Sequence, residues 1–276
     1  MKTAIIGLPM VGKTSLFTIL TGVHEAARVG SLEARVGITK VPDARVDALA
    51  NLYQPPKITY ATVEYLDFPS ISKESLRDPS YLASLRVADA LAHVLRTFDS
   101  DVVPHEKGSV DAVRDLEDVD TELILSDLVV VEKRLERLEK DRKKIKSPEL
   151  DQEYDILIRV KEELEANRPL RGLEFTPDEE KRIRGFQFLS QKPMLFVLNI
   201  GEESAAKLHE VEEEYRNGAL AGRKGTGVTA VCGKIEAELA ELHHKDSALV
   251  FTSGFVSNEA AISTVAERAA RMSSRV

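Results

Sequence analysis

Two glycines, a lysine and two hydroxyl residues lie close together near the start of the chain. Residues 7–15 read GLPMVGKTS, which fits the pattern G-x-x-x-x-G-K-[ST]. In this pattern the glycines let backbone N–H groups turn toward phosphate oxygens, the lysine adds a positive charge, and the hydroxyl residue is a ligand for Mg²⁺. A strand-like run precedes the motif and a helical run follows it, so a helix N-terminus also faces the phosphates. The motif predicts a nucleotide phosphate site formed by Gly7, Met10, Val11, Gly12, Lys13, Thr14 and Ser15.

Two later positions extend this site. Asp67 ends a short apolar run, where proteins with this motif place a carboxylate that holds Mg²⁺. A later apolar run leads into Asn199, Ile200, Gly201 and Glu202, an Asn-x-x-Glu turn. GTPases carry Asn-Lys-x-Asp there, and that aspartate accepts both donors of the guanine edge. Because a glutamate is one methylene longer and the stacking lysine is replaced by isoleucine, we predict weak selectivity for guanine.

Composition and charge exclude several functional classes. The chain has 276 residues, with 38 Lys and Arg against 46 Asp and Glu, a formal net charge of −8. That balance argues against a surface coated with nucleic acid, and we expect no DNA specificity. Aromatic residues make up 5% of the chain, with no Trp, which argues against a stacking platform for single strands. A single cysteine excludes an internal disulfide, and no apolar run approaches a membrane span, so we expect a cytoplasmic protein without a membrane contact.

Short apolar runs alternate with helical patterns over most of the chain. This alternation predicts an α/β fold with a mostly parallel sheet, because near-continuous apolarity suits strands that are covered on both faces. The runs predicted as strands are 3–6, 62–66, 90–95, 194–198 and 228–231. The segments predicted as helices are 15–21, 81–88, 205–215, 234–242 and a final helix over 257–272.

The middle of the chain breaks this rhythm. From about 119 to 191 there is no strand signal, and apolar residues from Ile124 to Ile145 follow a heptad seam with one polar exception, Arg142. The spacing continues after a break at Ser147-Pro148, which predicts two helices packed as an antiparallel hairpin. We therefore predict a helical insertion at 119–191 within a discontinuous nucleotide-binding domain at 1–118 and 192–276. An independent coiled-coil oligomer is the alternative.

One end of this hairpin is basic. Residues 133–146 carry eight basic and three acidic side chains on an otherwise acidic chain. Such a cluster suits contact with RNA phosphates, and binding of that kind weakens steeply with salt. The alternative is a solvated helix face with intrahelical ion pairs such as Glu136–Lys140 and Glu139–Lys143.

Several motifs together resemble one known family. They are GLPMVGK at 7–13, VPDARVDAL at 41–49, DALAHVLRTF at 89–98, DTEL at 120–123, the turn from Asn199 to Glu202, and VCGKIEAELAEL at 231–242. The sequence resembles the YchF / Obg-like ATPase family of translation-factor-type P-loop proteins over nearly its whole length. The resemblance implies a Ras-like P-loop domain with an inserted coiled-coil hairpin. It also implies Mg²⁺-dependent hydrolysis of ATP in preference to GTP, and association with the ribosome.

The resemblance also implies roles for individual residues. Thr14 and Ser31 correspond to direct Mg²⁺ ligands, beside Asp67. Asn199 and Ile200 correspond to residues that contact the base, and Cys232 and Gly233 to a second base-contacting loop. Ile71 occupies the place of the usual water-positioning glutamine, and His105 matches a histidine proposed to assist catalysis; an exposed loop residue is the alternative for His105.

The chain departs from the family pattern at several points. Met10 replaces an asparagine that helps hold a potassium ion in cation-stimulated relatives, and a thioether is a poor ligand for a hard cation. Residues 67–70 read DFPS where the family has Asp-x-x-Gly, so we expect nucleotide binding with weakened γ-phosphate switching. The alternative function is a nucleotide-binding scaffold with little hydrolysis that acts through the hairpin. Family members continue into a β-rich TGS domain, which we expect this chain, ending at Val276, to lack.

Overall fold

A computed structural model describes residues 1–24, 33–72, 75–100 and 102–242 of the chain. Its strands are β1 (Lys2–Ile6), β2 (Arg35–Lys40), β3 (Thr62–Asp67), β4 (Ala90–Arg96), β5 (Met194–Asn199) and β6 (Thr226–Val231). These strands form one sheet in the order β2-β3-β1-β4-β5-β6. All neighbouring pairs are parallel except β2 and β3, which run antiparallel at one edge. The predicted α/β class with a mostly parallel sheet is confirmed.

Eight α-helices accompany the sheet in the described part of the chain. They are α1 (Lys13–Thr21), α2 (Ala44–Tyr53), α3 (Pro79–Arg86), α4 (Ala112–Arg142), α5 (Pro148–Glu165), α6 (Pro177–Ile183), α7 (Leu208–Asn217) and α8 (Gly233–Leu242). The four helices predicted before residue 243 around the sheet correspond to α1, α3, α7 and α8. The predicted helix over 257–272 lies outside the described residues.

The five predicted strands could be recognised in the sequence because most of their side chains are buried on both faces of the sheet. Every residue of β4 is buried, and β1 and β5 are buried at all but one position each. Strand β2 was not predicted, since its side chains alternate between half-buried and exposed at the sheet edge. Helix α2 was also missed, because none of its residues is buried and it has no apolar stripe facing the core. Sequence periodicity detects burial, and these two elements have little of it.

The predicted hairpin consists of α4 and α5. Their facing apolar side chains form a second core, and among its members are Ile124, Val131, Leu138, Leu157 and Val160. The seam is therefore buried within the chain, as the hairpin interpretation expects. Ile145, predicted in the seam, is instead 61% exposed beyond the end of α4.

Arg142, the polar residue of the seam, contacts two residues of α5. The Arg142 Nε donates to Asp151 Oδ1 at 2.6 Å, and its guanidinium lies 4.2 Å from the centre of the Tyr154 ring. About two turns further into the hairpin, Arg134 makes two hydrogen bonds of 2.7 Å to the Glu153 carboxylate. Paired charges at this end of the hairpin replace apolar packing.

Helix α4 belongs to both cores. It begins at Ala112, earlier than the predicted insertion boundary at 119, and Leu116, Val119 and Leu123 pack in the main core with the sheet. The second core starts one residue later, at Ile124. The division of the chain into domains stays a prediction, and a single continuous helix crosses the predicted boundary.

Two buried aspartates of α4 tie the hairpin to the sheet domain. Asp127 accepts hydrogen bonds from the backbone N–H groups of Leu189 and Ser190 at 3.0 and 2.8 Å, and from Arg86 at 3.0 Å. Asp120 accepts from Arg171 at 2.9 Å and from Arg223 at 3.0 Å. Buried carboxylates with several donors fix the direction of the helix, because any other orientation leaves charges unpaired.

Candidate functional site

A cleft of about 1220 Å³ opens at the carboxyl ends of the parallel strands. Ligands of open α/β sheets bind at this edge, where loops after neighbouring strands diverge. The loop after β1, the end of β3 and the loops after β4, β5 and β6 all contribute to the lining. The residues predicted from the sequence that line it are Met10, Gly12, Lys13, Thr14, Ser15, Asp67, Asn199, Ile200, Glu202, Cys232 and Gly233.

The phosphate-binding loop connects β1 to α1 and depends on two glycines. Gly7 has φ +145°, and a Cβ there would lie 2.6 Å from the Val94 carbonyl oxygen. Gly12 has φ +97° and caps α1, and a Cβ there would overlap the side-chain nitrogen of Asn199. Neither backbone conformation nor space admits another residue, because a side chain is strained at such φ values. Met10 also has a positive φ, +58°, and its side chain is 61% exposed.

Lys13 is the buried cation of the site. Its Nζ donates to the Leu8 carbonyl at 2.6 Å and to the Ser70 hydroxyl at 3.0 Å. Burial lowers the pKa of Lys13 to about 8, although the carboxylates of Asp67 and Glu106 oppose that shift. The lysine thus bridges the phosphate-binding loop and the segment after β3. Glu106 was not predicted as part of this electrostatic environment.

Thr14 and Asp67, the two predicted metal ligands that the structure describes, lie together. The Thr14 hydroxyl donates to Asp67 Oδ2 at 3.3 Å, and Asp67 Oδ1 is buried and has no hydrogen-bond partner among the described residues. The same carboxylate forms an ion pair with Arg35 at the start of β2. Arg35 lines the cleft and was not predicted, because β2 itself was not recognised. Ser31, the third predicted ligand, lies outside the described residues.

Asn199 joins the two ends of the cleft. Its side-chain nitrogen donates to the Val11 carbonyl at 3.0 Å, and its oxygen accepts from the Gly233 backbone N–H at 3.2 Å. Ile200 and Cys232 are buried beside it, and the Ile200 N–H donates to the Val231 carbonyl at 2.9 Å. The residues predicted to contact the base therefore form one connected wall of the cleft, and Asn199 fixes that wall to the phosphate-binding loop.

Glu202 has a partner that sequence reasoning missed. The Lys234 Nζ, in the first turn of α8, donates to Glu202 Oε2 at 2.6 Å, and both side chains line the cleft. The pair spans the loops after β5 and β6. Lys234 directly follows the predicted Cys232-Gly233 loop, and this position next to the loop is the signal from which its place in the site could have been predicted.

The loop after β4 forms another part of the wall and is held by a buried arginine. Arg96 donates to the carbonyls of Phe98 and Val103 at 2.9 and 2.8 Å, and it lies over the Phe98 ring at 4.8 Å. Phe98 and Val103 line the cleft. Arg96 and Phe98 belong to the segment at 89–98 that carried the family resemblance, but no site role was predicted for them.

The two residues predicted to be catalytic lie away from the cleft lining. The Ile71 side chain is buried in the main core, and its N–H donates to the Gly7 carbonyl at 3.1 Å. The His105 Nε2 lies 2.9 Å from Asp115 Oδ2 on α4, and its Nδ1 accepts from the Lys107 N–H at 3.2 Å. His105 is therefore not an exposed loop side chain, and a catalytic role for either residue stays a prediction.

In the part of the chain that the structure describes, no helix is long and apolar enough to cross a bilayer. Nor do three or more His, Cys, Asp or Glu side chains of these residues group as a metal site would require.

Comparisons with known proteins converge on one group. A family model described as 50S ribosome-binding GTPase matches residues 2–200. The ribosome-binding ATPase YchF of Bacillus subtilis is 34% identical over 253 residues, which cover 89% of this chain and 69% of that protein. Obg-like ATPase 1 of Oryza sativa subsp. indica is 33% identical over 214 residues, covering 74% of this chain and 53% of that protein.

A solved structure shows the same fold. The structure of the Schizosaccharomyces pombe YchF GTPase matches with a TM-score of 0.69, over 95% of this chain and 75% of that chain, at 22% sequence identity. The family model covers well over half of the chain, and the Bacillus relative exceeds 30% identity over two-thirds of its own length. The chain therefore belongs to the YchF / Obg-like ATPase family.

Proposed function

We propose that this chain binds a purine nucleoside triphosphate in the cleft and hydrolyses it with Mg²⁺, that ATP is favoured over GTP, and that the ribosome is its partner. The observation that carries the proposal is the meeting of the phosphate-binding loop, Asp67 and the Asn199 turn around one cleft of about 1220 Å³. Relatives named ribosome-binding ATPase support the activity and the partner.

The phosphates bind at the N-terminus of α1. The first backbone N–H groups of a helix have no partner within the helix, and their partial positive charge favours an anion. The buried Lys13 Nζ lies among oxygens of Leu8 and Ser70, positions that phosphate oxygens replace on binding. A lysine with its charge in a poorly solvated site binds such oxygens more strongly than an exposed lysine does.

Thr14 and Asp67 fit a Mg²⁺ ion that arrives with the nucleotide. Their oxygens lie 3.3 Å apart, and the buried Oδ1 of Asp67, which no described residue contacts by a hydrogen bond, is a further acceptor for a bound water. Mg²⁺ prefers oxygen ligands and keeps several waters, so a hydroxyl and a carboxylate beside phosphates suffice. When bound, the ion neutralises charge that develops on the phosphate oxygens.

The base end of the cleft disfavours guanine. Lys234 donates to Oε2 of the Glu202 carboxylate at 2.6 Å, so a guanine edge that needs both carboxylate oxygens must compete with this lysine. Buried Ile200 and Cys232 offer apolar contact to either purine. Titration of ATP, GTP and their diphosphates into nucleotide-free protein tests this selectivity. We expect ATP to bind more tightly than GTP, and a hundredfold preference for GTP would contradict the role assigned to Glu202.

Hydrolysis rests on positioning and on electrostatic stabilisation of the phosphates. Ile71 offers no group to orient water, and Ser70 is bound to Lys13, so we expect slow turnover that ribosomes stimulate. The test compares ATP hydrolysis by the wild type and by Lys13→Ala, each with and without ribosomes. The proposal expects ribosome-stimulated hydrolysis that depends on Lys13.

A nucleotide-binding scaffold is the second candidate function. The buried Ile71 and the Lys13–Ser70 hydrogen bond favour it, because both are poorly suited to a γ-phosphate switch. Tight ATP binding with no hydrolysis above the Lys13→Ala level, even with ribosomes, would establish the scaffold and refute the enzyme.

A further inference from the structure

Arg35 holds a positive charge next to the Asp67 carboxylate, the group proposed to hold Mg²⁺. It is the first residue of β2, and both its Nε, at 3.1 Å, and its terminal Nη2 donate to Asp67 Oδ2. The guanidinium also lies 4.9 Å from the centre of the Phe17 ring. The side chains of Arg35 and Asp67 are 15% and 5% exposed, so the ion pair is shielded from water and from salt. Thus packing as well as charge holds Arg35 in place.

All the hydrogen bonds to the Asp67 carboxylate end on the same oxygen, Oδ2. The Oδ2 that receives both Arg35 nitrogens also accepts the Thr14 hydroxyl at 3.3 Å. A carboxylate oxygen has about two lone-pair sites, so these three donor atoms already saturate Asp67 Oδ2. A metal-bound water that seeks Asp67 must therefore displace a guanidinium or use the remaining Oδ1.

Charge leads to the same conclusion. A carboxylate attracts a metal ion partly through its own negative charge, and the adjacent guanidinium cancels that charge at short range. Breaking the pair is costly, because it separates two opposite charges that are shielded from water. This cost weakens the binding of the metal and not that of the nucleotide, since the phosphates contact Lys13 and the loop amides without touching Asp67.

We propose that Arg35 competes with Mg²⁺ for the Asp67 carboxylate, so that ATP binding by this chain gains little from Mg²⁺ while Arg35 is present. This proposal rests on the proposed function, since it concerns the same nucleotide site. Arg35 is a positioning residue here: it acts through Asp67. The consequence is a nucleotide site that fills without a strong requirement for metal.

The test measures the coupling between two ligands. The Kd of ATP is determined by calorimetry in Mg²⁺ and in EDTA, for the wild type and for Arg35→Gln. Coupling between ligands is reciprocal and commonly amounts to about 5- to 150-fold. The quantity compared is the Kd of ATP in EDTA divided by the Kd of ATP in Mg²⁺. We expect this ratio to be below about threefold for the wild type and to rise by at least about fivefold in Arg35→Gln, within that ordinary range. Equal ratios for the two proteins would overturn the proposal.

Two further variants separate competition from a structural effect. Arg35→Lys keeps the charge but loses the forked geometry, so its ratio should lie between those of the wild type and Arg35→Gln. Arg45→Gln removes an arginine paired with Asp43 outside the cleft, and its ratio should equal that of the wild type. A ratio for Arg45→Gln that rises as much as that for Arg35→Gln would also overturn the proposal.

Metal binding itself is measured as well, without reference to ATP hydrolysis. Mn²⁺ added to the ATP-loaded protein is followed by the electron paramagnetic resonance of free Mn²⁺, with Arg35→Gln binding the ion more tightly than the wild type. Unchanged Mn²⁺ affinity would refute the competition. Absence of ATP binding by the wild type in both buffers would instead refute the proposed function, which makes the two failures distinguishable.

Discussion

At the scale of single residues, we predict that nucleotide binding depends on pH through Lys13. Burial lowers its pKa to about 8, and phosphate oxygens favour the protonated form. ATP therefore binds to the charged lysine: affinity stays level below pH 8 and falls about tenfold per pH unit above it, as protons leave the unliganded protein. Calorimetric titration of ATP at pH 7, 8 and 9 measures this step. A wild-type affinity that stays constant to pH 9 would contradict it, and Lys13→Ala should show weak binding without the step.

Gly12 is the residue on which the shape of the phosphate-binding loop depends. We predict that Gly12→Ala abolishes ATP binding and lowers the free energy of unfolding by at least about 1–2 kcal/mol. The φ of +97° strains any L-residue, and the added Cβ overlaps the Asn199 side chain. Gly172→Ala is the matched control, because a Cβ there meets no atom within 4 Å. ATP titration and urea unfolding check both variants; tight ATP binding by Gly12→Ala would be the contrary result.

At the scale of elements, α4 connects the sheet domain to the hairpin through Asp127. Its carboxylate is fully buried and takes hydrogen bonds from two backbone N–H groups, the Ser190 hydroxyl and Arg86. Asp127→Ala leaves Arg86, which is 14% exposed, without its counter-ion. We predict a loss of about 3–5 kcal/mol in the free energy of unfolding.

Urea unfolding followed by circular dichroism measures this loss. Asp155→Ala, on the exposed side of α5, provides the control and should change stability by less than about 0.5 kcal/mol. Equal stability of the two variants would show that the Asp127 contacts contribute no more than an exposed aspartate.

At the scale of the whole molecule, we predict that the basic end of the hairpin is the surface that contacts RNA. Of the eight basic side chains at 133–146, Arg134 and Arg142 pair with acids of α5. The other six form no ion pair with any described residue, and the intrahelical pairs Glu136–Lys140 and Glu139–Lys143 are absent from the described structure. Exposed lysines that pair with no described acid favour the RNA alternative over the solvated face.

We predict that replacing Lys143, Lys144 and Lys146 by Gln weakens binding to ribosomes. Each phosphate contact contributes about 0.7–0.9 to the slope of log affinity against log salt, so three lost contacts reduce the slope by about 2–3. Sedimentation with ribosomes over a series of salt concentrations measures the slope. Replacing Lys40, Lys57 and Lys207, exposed lysines away from the hairpin, removes the same charge and should leave the slope unchanged. Equal slopes for both triple variants would argue against the hairpin as the RNA surface.

The sequence by itself determined the phosphate-binding loop, five of the six described strands and the hairpin. Their signals are local: a motif such as GLPMVGK fixes backbone shape over a few residues, and buried runs and heptads record burial directly. Edge strand β2 and helix α2 lacked such a signal because they are barely buried.

The tertiary structure decided which distant charges meet. Arg35 and Asp67 are joined by the antiparallel register of β2 and β3, and Glu202 and Lys234 by two loops of neighbouring parallel strands. It also placed Ile71 in the core and His105 against Asp115, away from the cleft lining. Pairing between strands far apart in the chain depends on sheet order and register, and neither leaves a periodicity within a single segment. The proposed nucleotide site could therefore be predicted from the sequence, whereas the charge pairs to which we assign its metal dependence and base selectivity became visible only in the fold.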